Sequence, residues 1–204
     1  MIVTGIEAVT KNKYKVYVDE QFAFILYKSE LSRYQITAGE EITEENYSNI
    51  REEVVVKRAK FRALHLLNSM GRTEQQLRQK LRLNEYPEDV IDEAVDYVKS
   101  FGYINDMEYA RLFIMNRKDR KSKREICMLL SQKGLNEEIL DKAFEECYDE
   151  EASKEAIRTI LKKKNYDPDT STKAETQKIL SYLTRKGFSY EDIRQVLQVS
   201  GWNA

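Results

Sequence analysis

Two hydrophobic periodicities divide this chain. Up to about residue 27, β-branched and aromatic residues form short runs, Ile2 to Val9, Lys13 to Asp19 and Gln21 to Tyr27, with polar breaks at 10–12 and 19–20. Their partial alternation predicts three strands in a meander. The break beginning at Asp19 is short enough for a hairpin, although it lacks the glycine that such turns favour. Ser29 is placed to cap a short helix through Tyr34, and Ala38-Gly39 reads as a turn. Three strands alone bury little apolar surface, so this segment is expected to pack on the helix after it.

From Thr43, a cap residue followed by acids in the first turn, the period changes to that of a helix. Ile50, Val54, Val55, Ala59, Ala63, Leu66, Leu67 and Met70 hold one apolar stripe until Gly71 stops it. One phrase is then written three times, starting at Thr73, Ser122 and Glu175, offsets of 49 and 53 residues. Each copy reads as a capped helix, a short break and a second helix, and each is preceded by a further helix. The predicted helices are 57–70, 74–84 and 88–100; 106–118, 123–133 and 137–149; and 152–164, 174–186 and 190–199. A period of this kind marks one small helical unit stacked on copies of itself.

The phrase carries its own punctuation. Thr73 with Gln76 and Ser122 with Glu125 have the spacing of capping boxes. In the third copy Glu175 stands at the cap, so the box is expected to be lost there. Lys133-Gly134-Leu135 and Lys186-Gly187-Phe188 place glycine where a left-handed residue ends a helix, and Asn136 and Ser189 cap the next one. The first copy has Asn84-Glu85-Tyr86-Pro87 instead, with glutamate in the glycine position and Pro87 suited to a helix start. Tyr103, Ile104, Tyr109 and Ala110 occupy the seam between first and second units and are expected to pack there. Residues 162–172 form the longest irregular connection, and Trp202 is available to anchor the C-terminus.

The fold class is therefore mainly α: three tandem three-helix repeats preceded by a small N-terminal β-meander. The expected organisation is a strand-rich extension at 1–50, repeat one with its connecting helix at 51–104, repeat two at 105–150 and repeat three at 151–204.

A net charge of −1 conceals a strong asymmetry. Cations number five against eight acids in residues 1–50, 18 against 13 in 51–135, and 11 against 14 in 136–204. Arg117 to Arg124 holds six cations and one acid in eight residues, while Glu137 to Glu151 holds eight acids and one lysine. Such polarity orients a chain in the field of a charged partner. The candidate contact residues are Arg111, Arg117, Lys118, Arg120, Lys121, Lys123 and Arg124 around the second phrase, with Arg72 and Arg78 in comparable places in the first. Stacking of the units would align these turns into a basic stripe for phosphates or acidic protein patches.

Catalytic chemistry has no foothold in the pattern. There is one histidine, His65, flanked by leucines, no glycine-rich phosphate loop and no Cys/His spacing for a metal. Adjacent acids such as Asp92-Glu93 point about 100° apart on a helix and make poor dyads. Cys127 and Cys147 fit reduced thiols packed as small hydrophobes. No apolar run approaches a membrane span, and no secretory signal opens the chain, which points to a cytoplasmic protein without cofactor or membrane partner.

The order of a capped helix ending in Lys-Gly-apolar, the junction Phe101-Gly-Tyr-Ile-Asn-Asp-Met-Glu-Tyr-Ala110 and an Arg-rich turn before the second phrase resembles the RecX family, regulators of the RecA recombinase. The resemblance covers residues 57–199 and is most specific over 101–140; the third copy matches less well, and the strands lie outside the family's common core. It implies an elongated crescent of three three-helix units that lies in the groove of a RecA filament on single-stranded DNA and limits ATP hydrolysis, strand exchange and SOS repressor cleavage; separately, the chain is expected to be a monomer. It implies no catalytic or contact motif. A stand-alone helix-turn-helix-like DNA-binding protein is the alternative, opposed by the near-neutral charge and the acidic end of repeat two. A helical adaptor for an unrelated protein is a third.

Overall fold

The computed structural model describes residues 1–197, so Trp202 and the predicted end of the last helix at 199 lie outside the described residues. The chain forms two compact units, Met1–Asn105 and Asp106–Ala204.

In the first unit, β1 (Val3–Thr10), β2 (Lys13–Val18) and β3 (Gln21–Tyr27) form an antiparallel sheet in the order β1-β2-β3, the predicted meander. The hairpin between β2 and β3 solves its missing glycine locally. Asp19 and Glu20 both take left-handed backbone, at φ 47° and 66°. A two-residue turn matched to strand twist requires this. The strain is held by β1 and the residue before it: Asp19 Oδ1 accepts from the Ile2 N–H at 2.7 Å, and the Glu20 N–H donates to Thr4 Oγ1 at 2.9 Å. Val16, Val18, Phe24 and Leu26 are buried in one core with residues of the helices after them.

Helix α1 (Lys28–Arg33) starts ahead of Ser29, contrary to expectation. The Glu30 carboxylate accepts from the Tyr27 N–H at 2.7 Å. A charged acceptor thus closes the helix start in place of the Ser29 hydroxyl. Helix α2 (Glu44–Ile50) begins at Thr43, whose Oγ1 accepts from the Asn46 N–H at 3.1 Å. It runs through a π-helical segment, Arg51–Val56, into α3 (Lys57–Ser69), with right-handed helical backbone at both junctions. The wider π turn re-phases the helix, and Val55 and Val56, neighbours in sequence, are both buried. Arg51, at the start of that turn, donates to Asp89 and Glu93 of α5 (Glu88–Ser100), at 2.6 Å each. The stripe ends at Leu67. Met70, expected to continue it, is extended and 61% exposed.

Helices α4 (Glu74–Arg82) and α5 complete repeat one on the same core as the strands, which therefore also bury the sheet. The Thr73–Gln76 capping box is complete, with N–H to side-chain distances of 3.2 and 3.3 Å.

In the second unit, α6 (Asp106–Met115), α7 (Lys123–Ser131) and α8 (Glu137–Cys147) form repeat two; α9 (Glu150–Lys163), α10 (Lys173–Arg185) and α11 (Tyr190–Leu197) form repeat three. In every repeat the first and third helices pack on each other, as α3 on α5, α6 on α8 and α9 on α11. Asn136 caps α8 through the Ile139 N–H at 2.9 Å, and Ser189 accepts from the Asp192 N–H at 3.0 Å. Cys127 and Cys147 are free thiols, both half-buried.

The third copy departs from expectation in an informative way. Its cap is Thr172, and the box is kept: the Glu175 N–H donates to Thr172 Oγ1 at 3.3 Å, and the Thr172 N–H donates to Glu175 at 2.8 Å. Helix α10 has 13 residues where α4 and α7 have nine. The extra turn sits inside the helix, so aligning the copies by their glycines hides the cap.

One ending serves these helices. At Gly134 the N–H donates to the Ser131 carbonyl at 2.9 Å and the Leu135 N–H to the Leu130 carbonyl at 3.3 Å; Gly187 and Phe188 repeat this at 2.9 and 3.2 Å. This is the Schellman pairing, with the apolar residue beyond the glycine folded onto the last turn. Glu85 does the same work at φ 59°, with Glu85 to Arg82 at 2.8 Å and Tyr86 to Leu81 at 3.4 Å. A β-carbon in this conformation costs about 1–2 kcal/mol. In a Lys15→Ala background, where the ion pair to Glu85 is already absent, Glu85→Gly is therefore expected to raise stability by about 1 kcal/mol after the added freedom of the unfolded chain. Urea unfolding of the full chain measures it; an unchanged or lower midpoint would contradict the strain argument.

Candidate functional site

The basic turn lies wholly within the second unit, between α6 and α7, and its cations have different employments. Arg111 on α6 is ion-paired to Glu146 on α8 and to Glu108. The hydrogen bond to Glu146 holds its guanidinium above the ordinary range. The Arg117 guanidinium lies 3.7 Å from the centroid of the Phe113 ring. This is a cation–π contact. Lys118 Nζ donates to the Cys147 carbonyl at 3.1 Å, satisfying an acceptor at the end of α8. Lys121 is ion-paired to Glu125.

That leaves the outward group. Arg120, Lys123 and Arg124 are exposed, and among the described residues none has a carboxylate partner. Lys123 Nζ sits 5.3 Å from the Phe144 ring centroid. Lys123 and Arg124 occupy the first turn of α7, where the helix dipole opposes positive charge. Glu125 offsets part of this through Lys121 and through Lys186 at 3.6 Å. Because that carboxylate is so engaged, the predicted capping box at Ser122 is only half formed: Ser122 Oγ accepts from the Glu125 N–H at 3.1 Å. The same hydroxyl donates to the Lys186 carbonyl at 2.6 Å, joining the cap of α7 to the end of α10. Ser122 is only 1% exposed. A group satisfied in both directions can be buried so.

This turn borders a groove of about 700 Å³ between repeats two and three. Lys123, Arg124 and Lys154 line it together with Asp149, Glu191 and Asp192, so the groove is mixed in charge. Lys154 carries no signal in the sequence, where it is one lysine among acids. Tyr148 lines the groove too; its hydroxyl is buried with no hydrogen bond of acceptable geometry among the described residues. Burial pushes its pKa up, and the neighbouring Ser153 hydroxyl and Lys123 backbone offset this in part.

In the first unit, Arg72 and Arg78 are built into the fold. Arg72 Nε donates to the Leu66 carbonyl at 3.1 Å, closing the end of α3. Burial alone would lower the Arg78 pKa, but its bonds to Asp92 and Glu74, at 2.6 and 2.8 Å, raise it. His65 is exposed on α3, and Tyr103, expected to pack in the seam, is 58% exposed and stacks on Phe101 at 6.0 Å. Ile104 and Ala110 are buried, and Tyr109 is half-buried. Among the described residues no group of His, Cys, Asp or Glu has a metal-binding arrangement, and no helix is long and apolar enough to cross a membrane.

Fold and surface together define a helical-repeat protein that presents an uncompensated cationic turn. Residues 59–97 match the first three-helix domain of RecX and residues 150–197 the third. The chain is 34% identical to "Regulatory protein RecX" of Caldanaerobacter subterraneus over 202 residues, covering 98% of this chain and all of that one. It is 31% identical to the protein of that name from Listeria monocytogenes, covering 94% of this chain and 72% of the relative. A crystal structure of regulatory protein RecX superposes with a TM-score of 0.62 at 25% identity, covering 97% of this chain and 99% of that one. RecX from Lactobacillus salivarius gives 0.58 at 28% identity, covering 70% of this chain and 94% of that one. The chain belongs to the RecX family of regulatory proteins. The match at 98% coverage takes in the N-terminal strands, and the third copy is among the segments recognised, although its sequence pattern is the weakest of the three.

Proposed function

We propose that this protein regulates a RecA-type recombinase by binding along the groove of its filament on single-stranded DNA, limiting ATP hydrolysis, strand exchange and SOS coprotease activity. It acts in the cytoplasm, by binding and without catalysis. Membership of the RecX family over nearly the whole chain carries this reading. Arg120, Lys123 and Arg124 are the proposed contact group, since their charge is not consumed inside the fold. Arg111, Arg117, Lys118 and Lys121 hold that turn in shape, and Arg72 and Arg78 brace repeat one. The partner surface is anionic, supplied by DNA phosphate or by acidic side chains of the recombinase.

The test is DNA-stimulated ATP hydrolysis by the cognate recombinase, with the regulator substoichiometric to recombinase. Regulation along a filament lowers the rate well before every subunit is matched. An unchanged rate and filament length, together with tight binding to naked duplex, would transfer the chain to the stand-alone DNA-binding reading.

A further inference from the structure

A second surface lies in the Met1–Asn105 unit, away from the basic turn in sequence and outside the reading above. It is a cleft of about 620 Å³ between the sheet, α3 and the turn from α4 to α5. Three large apolar residues stand exposed on its lining: Phe61 at 71%, Leu83 at 67% and Val9 at 42%. Phe61 falls off the buried stripe of Ala59, Ala63 and Leu66, and Leu83 ends α4 with its side chain in solvent. Apolar side chains left exposed together on one concave surface mark a place where something docks.

The charges in the cleft define the occupant. Arg58 is consumed by the Ile25 carbonyl at 3.0 Å and the Glu30 carboxylate, and Glu85 is neutralised by Lys15. Among the described residues Arg62 donates to a neutral amide, Asn84 Oδ1, at 2.8 Å. Lys13 lies 5.6 Å from the Tyr27 ring centroid, and among the described residues neither it nor Arg62 has a carboxylate partner. Two cations without counter-charge therefore flank an apolar floor.

We infer that this cleft docks an acidic peptide segment of a partner protein, with an aromatic or leucine side chain set against Phe61, Leu83 and Val9 and flanking carboxylates on Arg62 and Lys13. A nucleic-acid strand fits less well. Strand binders offer successive rings for stacking. Here Tyr27 already carries Arg58 at 4.7 Å and Lys13 against its ring, and Tyr86 is half-buried. Phe61 is the one ring in the cleft left largely open, and its apolar neighbours are aliphatic, a surface for a side chain more than for a base.

Selection of a random dodecapeptide library on the immobilised full chain, followed by fluorescence anisotropy with the selected peptides, tests this. Enriched peptides should be net acidic with one aromatic or leucine anchor. Their affinity should fall roughly tenfold or more for Phe61→Ala and for Arg62→Glu. Phe61 is exposed and Arg62 half-buried, and a circular dichroism spectrum identical to the parent excludes unfolding; Lys13→Glu gives an independent check from the sheet. No enrichment, basic or anchor-free peptides, or affinities unmoved by these variants would overturn the inference. Binding of an oligothymidylate 20-mer that is lost in the same variants would replace it with a nucleic-acid cleft. Recombinase ATP hydrolysis is measured separately on the parent chain, so a failure here leaves the proposed function standing or falling on its own result.

Discussion

Gly187→Ala is expected to destabilise the second unit by about 2–5 kcal/mol, far more than a surface methyl group ordinarily would. Two costs combine. Gly187 has φ +86°. A β-carbon there costs about 1–2 kcal/mol. That carbon would also lie 3.0 Å from Arg124 Cβ and 3.1 Å from Ser122 Oγ. Such overpacking adds about 1–3 kcal/mol. Neither neighbour can withdraw easily: Arg124 Cβ is fixed to helix α7, and Ser122 Oγ holds both the Glu125 N–H and the Lys186 carbonyl. Gly102→Ala is the control. Its φ is +71° but no atom lies within 4 Å of the added carbon, so the backbone cost alone applies. Urea unfolding followed by circular dichroism, with hydrogen exchange to localise the loss to α7 and α10, separates the two. Equal effects at both glycines would remove the case for a tight seam between repeats two and three.

The simultaneous substitution Arg120→Glu, Lys123→Glu and Arg124→Glu is expected to weaken binding to the recombinase filament roughly 10- to 100-fold at moderate salt and to flatten its salt dependence. Affinity is read per folded molecule, because acids at positions 123 and 124 suit the dipole of α7 but share the groove with Asp149, Glu191 and Asp192, which lowers stability in part. Lys121→Glu and Arg78→Glu provide the contrast. Each sets a new acid against existing ones, Glu125 in one case and Glu74 and Asp92 in the other, so stability should fall while filament affinity per folded molecule changes little. Sedimentation of filaments with bound regulator, at two ionic strengths, reads the affinity. Unaltered binding by the triple variant would place the contact surface elsewhere.

The repeat architecture is legible because its signals are local. Thr43, Thr73, Asn136 and Ser189 cap the helices their positions imply, and Gly134 and Gly187 end helices as read. Differences arise where one residue type does another's work. Glu85 occupies a glycine's conformation, Asp19 and Glu20 form a glycine-like turn with help from Thr4 and Ile2, and Glu30 replaces Ser29 at a helix start. Each depends on a partner or backbone setting that composition cannot reveal.

The candidate site is legible only as a density of charge. Sequence places Arg117 to Arg124 together but cannot divide cations spent on Phe113, Cys147 and Glu125 from those left outward, since that division is made by α8 and by side-chain direction. Phe61 and Leu83 carry a faint signal, as apolar residues off the stripe of their helices. Their meeting with Val9 and Lys13 needs the fold.

The added turn of α10 bears on how such a chain can change its length. About 3.6 residues restore the angular phase of a helix. Cap and glycine lie 15 residues apart in the third copy against 12 in the second, and these three added residues, about 300° of helix, leave Ile179 and Leu183 buried and Gly187 seated on Arg124. The displaced material is only Thr172 and the loop before it. One or two inserted residues would instead rotate the buried stripe by about 100° or about 200°. Length change inside such a helix is therefore held close to a whole turn, whereas the stretches ahead of the caps, 70–73, 116–122 and 164–172, differ without that constraint.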